Sequence, residues 1–438
     1  MPAPIGADDL YRFRWIDHVR LSPDGERIAY QVGWADAESR QNRSRIVVRR
    51  LLDQEPVDAT VGTRRDHSPE WSPDGRSLAF VSRTGAADQV YVLDIAGGGV
   101  HQLSSVPEGA ASPSWSPDGR YVAFIGVVVG DPEMVVDDPR APDSKEQVRR
   151  TPVVRVARRL DYKHDGQGFT DGRNHHLFVA AAGGGEPQQL TRGAWDVASF
   201  DWSPDGTRLV VAGNAEHDSD LQRELNLYVV DLGGNREKLT GGYYLSSPSW
   251  SPRGDLVAFV APNGLEGGLV ERLWIVPSAG GVPRCLTLSL DQAVSDTVIT
   301  DMRGGHGGFR LRWSKDGNRV YFLSSGPGVT SLYSCDLDGN VWPEAGGSRR
   351  IFDFDVKPGA FALCASDASN PGELHIVMQG AEARVTDLNP WLRERYVAQP
   401  ERHQFTAPDG WVIEGWLLKP EKFDAGKLHP LVLAVHGG

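Results

Sequence analysis

The chain has 438 residues and a net charge of −12, with 40% hydrophobic and 24% charged residues; this is the make-up of a folded protein with room for two or three domains. The acidic excess excludes general nucleic-acid binding, which needs a basic face. The longest apolar runs, such as Phe124 to Val129, fall far short of the roughly 18 residues that span a membrane.

The N-terminus lacks the basic and apolar stretches of a secretory signal, which points to a cytoplasmic address. Asp8 to Trp15, with acidic residues at its start, predicts a short helix inside an N-terminal segment of residues 1–16. From Asp17 onward the 50 glycines and 29 prolines find their reason. One phrase recurs: Trp71-Ser-Pro-Asp-Gly75, Trp115-Ser-Pro-Asp-Gly119, Trp202-Ser-Pro-Asp-Gly206, Trp250-Ser-Pro-Arg-Gly254 and Trp313-Ser-Lys-Asp-Gly317. Leu21-Ser-Pro-Asp-Gly25 carries Leu for Trp, and Phe354 to Gly359 is an eroded seventh copy. Proline presets φ at the first turn corner, Asp bonds back to its own backbone, and Gly accepts positive φ. Each copy therefore joins two strands.

A third strand follows in every unit, from Arg45–Arg49 through Leu374–Val377, and a short fourth often ends in Leu-Thr or Leu-Ser. Four strands per unit at about 40 to 50 residues is the period of propeller blades. The prediction is an all-β chain, a seven-bladed β-propeller over 17–387, with an insertion near 127–174. The phrase tryptophans are expected to pack between blades.

After Thr386 the repeat stops. Gln404 to Leu418 reads as a hairpin turning at Pro408-Asp409-Gly410, and Leu431 to Val435 as a strand buried on both faces, running into His436-Gly437-Gly438. With these features the whole chain resembles the N-terminal portion of a serine peptidase of the prolyl oligopeptidase family, nearest its acylaminoacyl-peptidase-like branch. The resemblance implies that 388–438 is a linker and the first strands of an incomplete α/β-hydrolase domain. It also implies short peptides as substrates, no cofactor, and the remaining hydrolase domain as a partner from the same gene or a second chain. It leaves homo-oligomers open and expects no nucleic acid or membrane partner.

In that family the second Gly of His-Gly-Gly donates a backbone N–H to the oxyanion, which places this role on Gly438, supported by His436 and Gly437. Such donors are worth roughly 3–4 kcal/mol each. The triad needs a Gly-x-Ser-x-Gly elbow followed by Asp and His, and the 438 residues contain no such elbow. The chain alone is therefore expected to be inactive: a fragment, a truncated product, or half of a split protein. The reading from another class is a stand-alone binding propeller, for which the tail would have no use.

Arg158, Arg159 and Arg173 in the insertion belong to a guanidinium-rich stretch of an acidic protein. The family places this region toward the interior cavity, where the cluster would bind a substrate carboxylate; the plainer reading pairs it with Asp161, Asp165 and Asp171. Adjacent His175 and His176 point to opposite strand faces and do not share a metal. Ser334 to Gly339 reads as a hairpin turn rather than a calcium loop, because its twelfth position is Ala345. The three cysteines, 285, 335 and 364, lack metal spacing and read as apolar thiols.

Overall fold

A computed structural model describes residues 2–51, 55–85, 87–129, 159–164, 168–170, 172–217, 219–222, 224–262, 270–298 and 310–435. Its described residues form seven four-stranded antiparallel blades, each from consecutive segments. Blade 1 comprises Trp15–Leu21, Arg27–Asp36, Gln41–Arg50 and Val57–Asp58. The inner strands of blades 2 to 7 are Asp66–Trp71, Ala110–Trp115, Val197–Trp202, Ser246–Trp250, Arg312–Trp313 and Arg350–Lys357. A single parallel pair, Thr330 with Arg350, links blades 6 and 7 into one sheet.

Blade-on-blade packing follows from the two-residue period of a strand. On the second strand of blade 2, Leu78 and Phe80 face blade 1, whereas Ala79 faces blade 3. Seven apolar clusters result, each built by two neighbouring blades, and the one joining Ile16, Val19 and Leu21 to Phe352, Ala362 and Cys364 closes the ring. Among the described residues no strand is exchanged between the first and last blades. Closure uses carboxylates instead: the Val19 amide donates to Asp353 and the Leu21 amide to Asp355, both at 2.9 Å, while Arg20 Nη1 meets Asp353 at 3.1 Å.

The repeated phrase acts at two ranges. Within a turn, the Ser72 hydroxyl donates to Asp74 (2.6 Å), the Arg76 amide donates back to that carboxylate (3.0 Å), and Gly75 sits at φ +68°. The same bonds recur at Ser116, Ser203 and Ser314, and hydrogen bonding to the serine hydroxyl leads in holding each Asp below its ordinary pKa. Where Arg253 replaces the Asp, Ser251 turns to Asp255 two residues on (2.7 Å). Between blades, each indole N–H donates to the carbonyl before the preceding blade's phrase: Trp71 to Arg20, Trp115 to Glu70, Trp202 to Ser114 and Trp313 to Ser249, at 3.0–3.1 Å. Trp250 bonds its own Gly254 carbonyl (3.2 Å), and its amide takes the carboxylate of Asp201 in the preceding blade (2.8 Å).

Outside the ring, the N-terminal segment holds a six-residue 3-10 helix, Ala7–Arg12, rather than an α-helix, and Trp15 already opens blade 1. This arm grips the connector: Ala3–Pro4 pairs in parallel with Arg395–Tyr396, Asp9 meets Arg395 Nε at 3.1 Å, and Asn389 exchanges two bonds with the Arg14 backbone. The hairpin Glu401–Thr406 with Val412–Leu417 forms as read from the sequence. Leu431 to Val435 differs, forming no strand and standing about 80% exposed. A strand buries both faces only between neighbouring strands and covering helices, and the described residues supply neither at this point.

The axial channel as candidate functional site

An inner strand starts on one face of the ring and ends at its phrase turn on the other. Six of the seven inner strands carry a register shift just before the phrase, and His18, Ser68, Ser112 and Ser247 take φ of 52–55° there. Bulges of this kind re-aim side chains. Here they accompany two polar layers around the axis, one and three residues before each phrase tryptophan position.

The layer next to the phrase holds Arg20, Glu70, Asp201, Arg312 and Asp355 with two serines, and all seven side chains line a channel of about 770 Å³. Its charges are paired. Arg20, 3% exposed, reaches Glu70 through Nε at 2.8 Å, and Arg312 Nε reaches Asp355 at 2.8 Å. From the outer layer Arg310 crosses the lumen from blade 6 to bond the same Glu70 oxygen on blade 2. Burial alone would raise the Glu70 carboxyl, but Arg20, Arg310 and Arg312 outweigh it and bring it down to about 2. Burial, then the charges of Arg20, His67 and Arg310, hold the His18 imidazole well below its ordinary range and hence neutral.

Asp201 behaves differently. Burial pushes its carboxyl up to about 6, against the Trp250 amide and the attraction of Arg312. Its folded pKa is raised, so between about pH 4 and 6 the folded chain keeps a proton that the unfolded chain releases, and stability falls as pH rises through that window. Asp201→Asn keeps an acceptor for the Trp250 amide. Compared between pH 5 and 7.5 by urea unfolding, the wild type should lose about 1–2 kcal/mol that the variant keeps; equal slopes would refute this assignment.

The residues singled out in the sequence stand elsewhere. Arg158 and the His436-Gly437-Gly438 turn lie outside the described residues. Arg159 and Arg173 take different partners. Arg159 bonds Ser219 (2.9 Å) and lies 3.7 Å from Asp220 in blade 4, whereas Arg173 meets Glu108 between blades 2 and 3 (2.7 Å). His176 is buried on Thr191 and the Gly193 carbonyl, and His175 faces out to Asp196. Asp336 caps the 336–340 turn as a hairpin. Among the described residues no group of three acidic, His or Cys side chains is arranged to hold a metal, and no helix is long and apolar enough to cross a membrane.

The channel residues escaped the sequence reading although a signal exists. The phrase is nearly constant, while the residue just before its tryptophan changes from Arg20 to Glu70, Asp201 and Arg312. Constant turns carrying variable charge at one register mark a lining.

Comparison with known proteins fits this architecture. A family profile for the TolB β-propeller domain matches residues 18–145. An uncharacterised peptidase of Bacillus subtilis, YuxL, is 30% identical over 442 residues, covering 99% of this chain and 66% of that protein. In sequence the chain resembles the N-terminal portion of prolyl oligopeptidase family peptidases. The seven blades, from Trp15 to Arg384, are the part of the described chain that corresponds to a propeller. Dipeptidyl-peptidase 5 of Porphyromonas gingivalis is 24% identical, covering 97% of this chain and 62% of its own length. The chain thus spans less than two thirds of each relative. The acylaminoacyl peptidase of Pyrococcus horikoshii shares the fold, with a TM-score of 0.71 at 20% identity, over 94% of this chain and 59% of that one.

Proposed function

We propose that this chain is the substrate-admitting propeller portion of a serine peptidase that acts on short peptides, of the acylaminoacyl-peptidase or dipeptidyl-peptidase kind. The observation that carries the reading is the end-to-end match to a peptidase relative, tail included. A polar channel along the axis fits oligopeptides and is too small for a folded protein. The tail hairpin leans on the propeller face opposite the phrase turns: Gly328, in the turn between the second and third strands of blade 6, leaves room for the Trp416 ring, which a Cβ there would meet at 2.4 Å. A hydrolase domain continuing from that tail would sit over this mouth, and Gly438 would supply its oxyanion donor.

The 438 residues hold no Gly-x-Ser-x-Gly, so the nucleophile must come from a hydrolase domain and the chain by itself is inactive. Purified to homogeneity, it should show no hydrolysis of N-acetylalanyl or dipeptidyl p-nitroanilides. A polypeptide that continues through the hydrolase domain should cleave at least one of them. Turnover by the 438 residues alone would defeat the inactivity claim, and failure of the longer protein on every acyl- and dipeptidyl-substrate would defeat the peptidase reading.

A further inference from the structure

The channel wall departs from the rest of the molecule in charge. The chain carries −12 overall, yet the described side chains lining the channel include seven basic and only four acidic ones. One of the acids, Glu70, is already neutralised from two sides by Arg20 and Arg310. The wall as a whole thus carries a basic excess, contributed by Arg43, Arg65, Lys315 and Lys357, while in the two axial layers the arginines are matched by carboxylates. Clefts lined by one sign of charge concentrate ligands of the other.

Polar groups without protein partners sit in the same wall. His18 Nδ1, His67 Nε2 and Ser199 Oγ are each buried and make no hydrogen bond among the described residues, and all three residues line the channel. Buried polar atoms are nearly always satisfied, by protein, water or ligand. The His18 and His67 rings stand 6.4 Å apart, and His67 Nε2 is 3.9 Å from Asp88, beyond hydrogen-bond reach. Arg310 commits one nitrogen to Glu70 and keeps 29% of its side chain exposed. The Glu70 carboxylate between guanidinia from opposite walls already displays the geometry that a second carboxylate would use.

We propose that the channel binds the C-terminal carboxylate of a peptide, with Arg310 as the charged anchor and His18 as an N–H donor beside it. The inference rests on the peptide-substrate reading and deepens it. A peptide held this way presents its other end toward the ring face against which the tail hairpin leans, because Arg310 and His18 occupy the layer nearer that face. The propeller would then select peptides for a free C-terminus and orient them N-terminus first toward the catalytic side.

The test uses the 438-residue chain and two probes, an N-acetylated pentapeptide with a free C-terminal carboxylate and the same peptide as its amide, titrated calorimetrically. The free acid should bind at least tenfold more tightly than the amide. Arg310→Gln should abolish the difference and Arg310→Lys should restore part of it, with thermal melting verifying that each variant is folded. Equal binding of acid and amide to the wild type would overturn the carboxylate site while leaving the peptide reading intact. Binding of neither would overturn both. A preference for the acid that survives Arg310→Gln would also overturn the assignment.

Discussion

Asp353→Ala is expected to cost about 3–5 kcal/mol of unfolding free energy, because it strips the buried Val19 amide of its acceptor and takes from the buried Arg20 one of its two carboxylates, leaving Glu70 alone to balance it. The carboxylate is 7% exposed and accepts both the Val19 amide and Arg20, itself 3% exposed. Both bonds cross the seam between the last blade and the first, where among the described residues no strand is shared to hold the ring shut. The effect should show as a lower urea midpoint and as faster amide exchange in Trp15–Leu21 than in the inner strand of blade 4. Asp353→Asn, which still offers an oxygen to Val19, should lose less. A loss below about 1 kcal/mol for the alanine variant would mean that apolar packing alone closes the ring.

Trp202→Ala should be nearly as damaging, at about 3–5 kcal/mol. The ring is 5% exposed within the core joining blades 3 and 4, and its indole donates to Ser114 across the boundary (3.1 Å). Trp202→Phe keeps most of the apolar contact but leaves the Ser114 carbonyl without that donor, at a cost of about 1–3 kcal/mol. Trp411, 73% exposed in the tail hairpin, is the control: its alanine variant should stay within about 0.5 kcal/mol of wild type. Chemical unfolding of the three variants orders them, and a Trp202→Ala cost near that of Trp411→Ala would remove the phrase tryptophan from the inter-blade core.

How much could be read before folding depends on the range of the interactions involved. The phrase turns close within five residues through Ser72, Asp74 and Gly75, so their chemistry lies in consecutive letters. The blade count follows, because every blade repeats the same short-range solution. The fourth strands of blades 1 and 6, Val57–Asp58 and Val341–Ala345, carried no marker, since they hold their place by pairing with a neighbour rather than by their own pattern. The guanidinium cluster of the insertion looked like one feature because its members are close in sequence. Arg159 and Arg173 in fact diverge to acidic partners on different blades.

The turns, the four-strand period, the seven blades and the hairpin after them are legible in consecutive residues, all products of local backbone chemistry and two-residue alternation. Which residues meet at the axis is set by closure of the ring. Arg310 and Glu70 are 240 positions apart, as are, to a still greater degree, Val19 and Asp353 at 334. Each pair is brought together by closure of the ring, a constraint that no single blade contains. The charge of the channel is likewise a property of that closure, formed when seven inner strands, each carrying a different side chain at the same register, are turned toward one another.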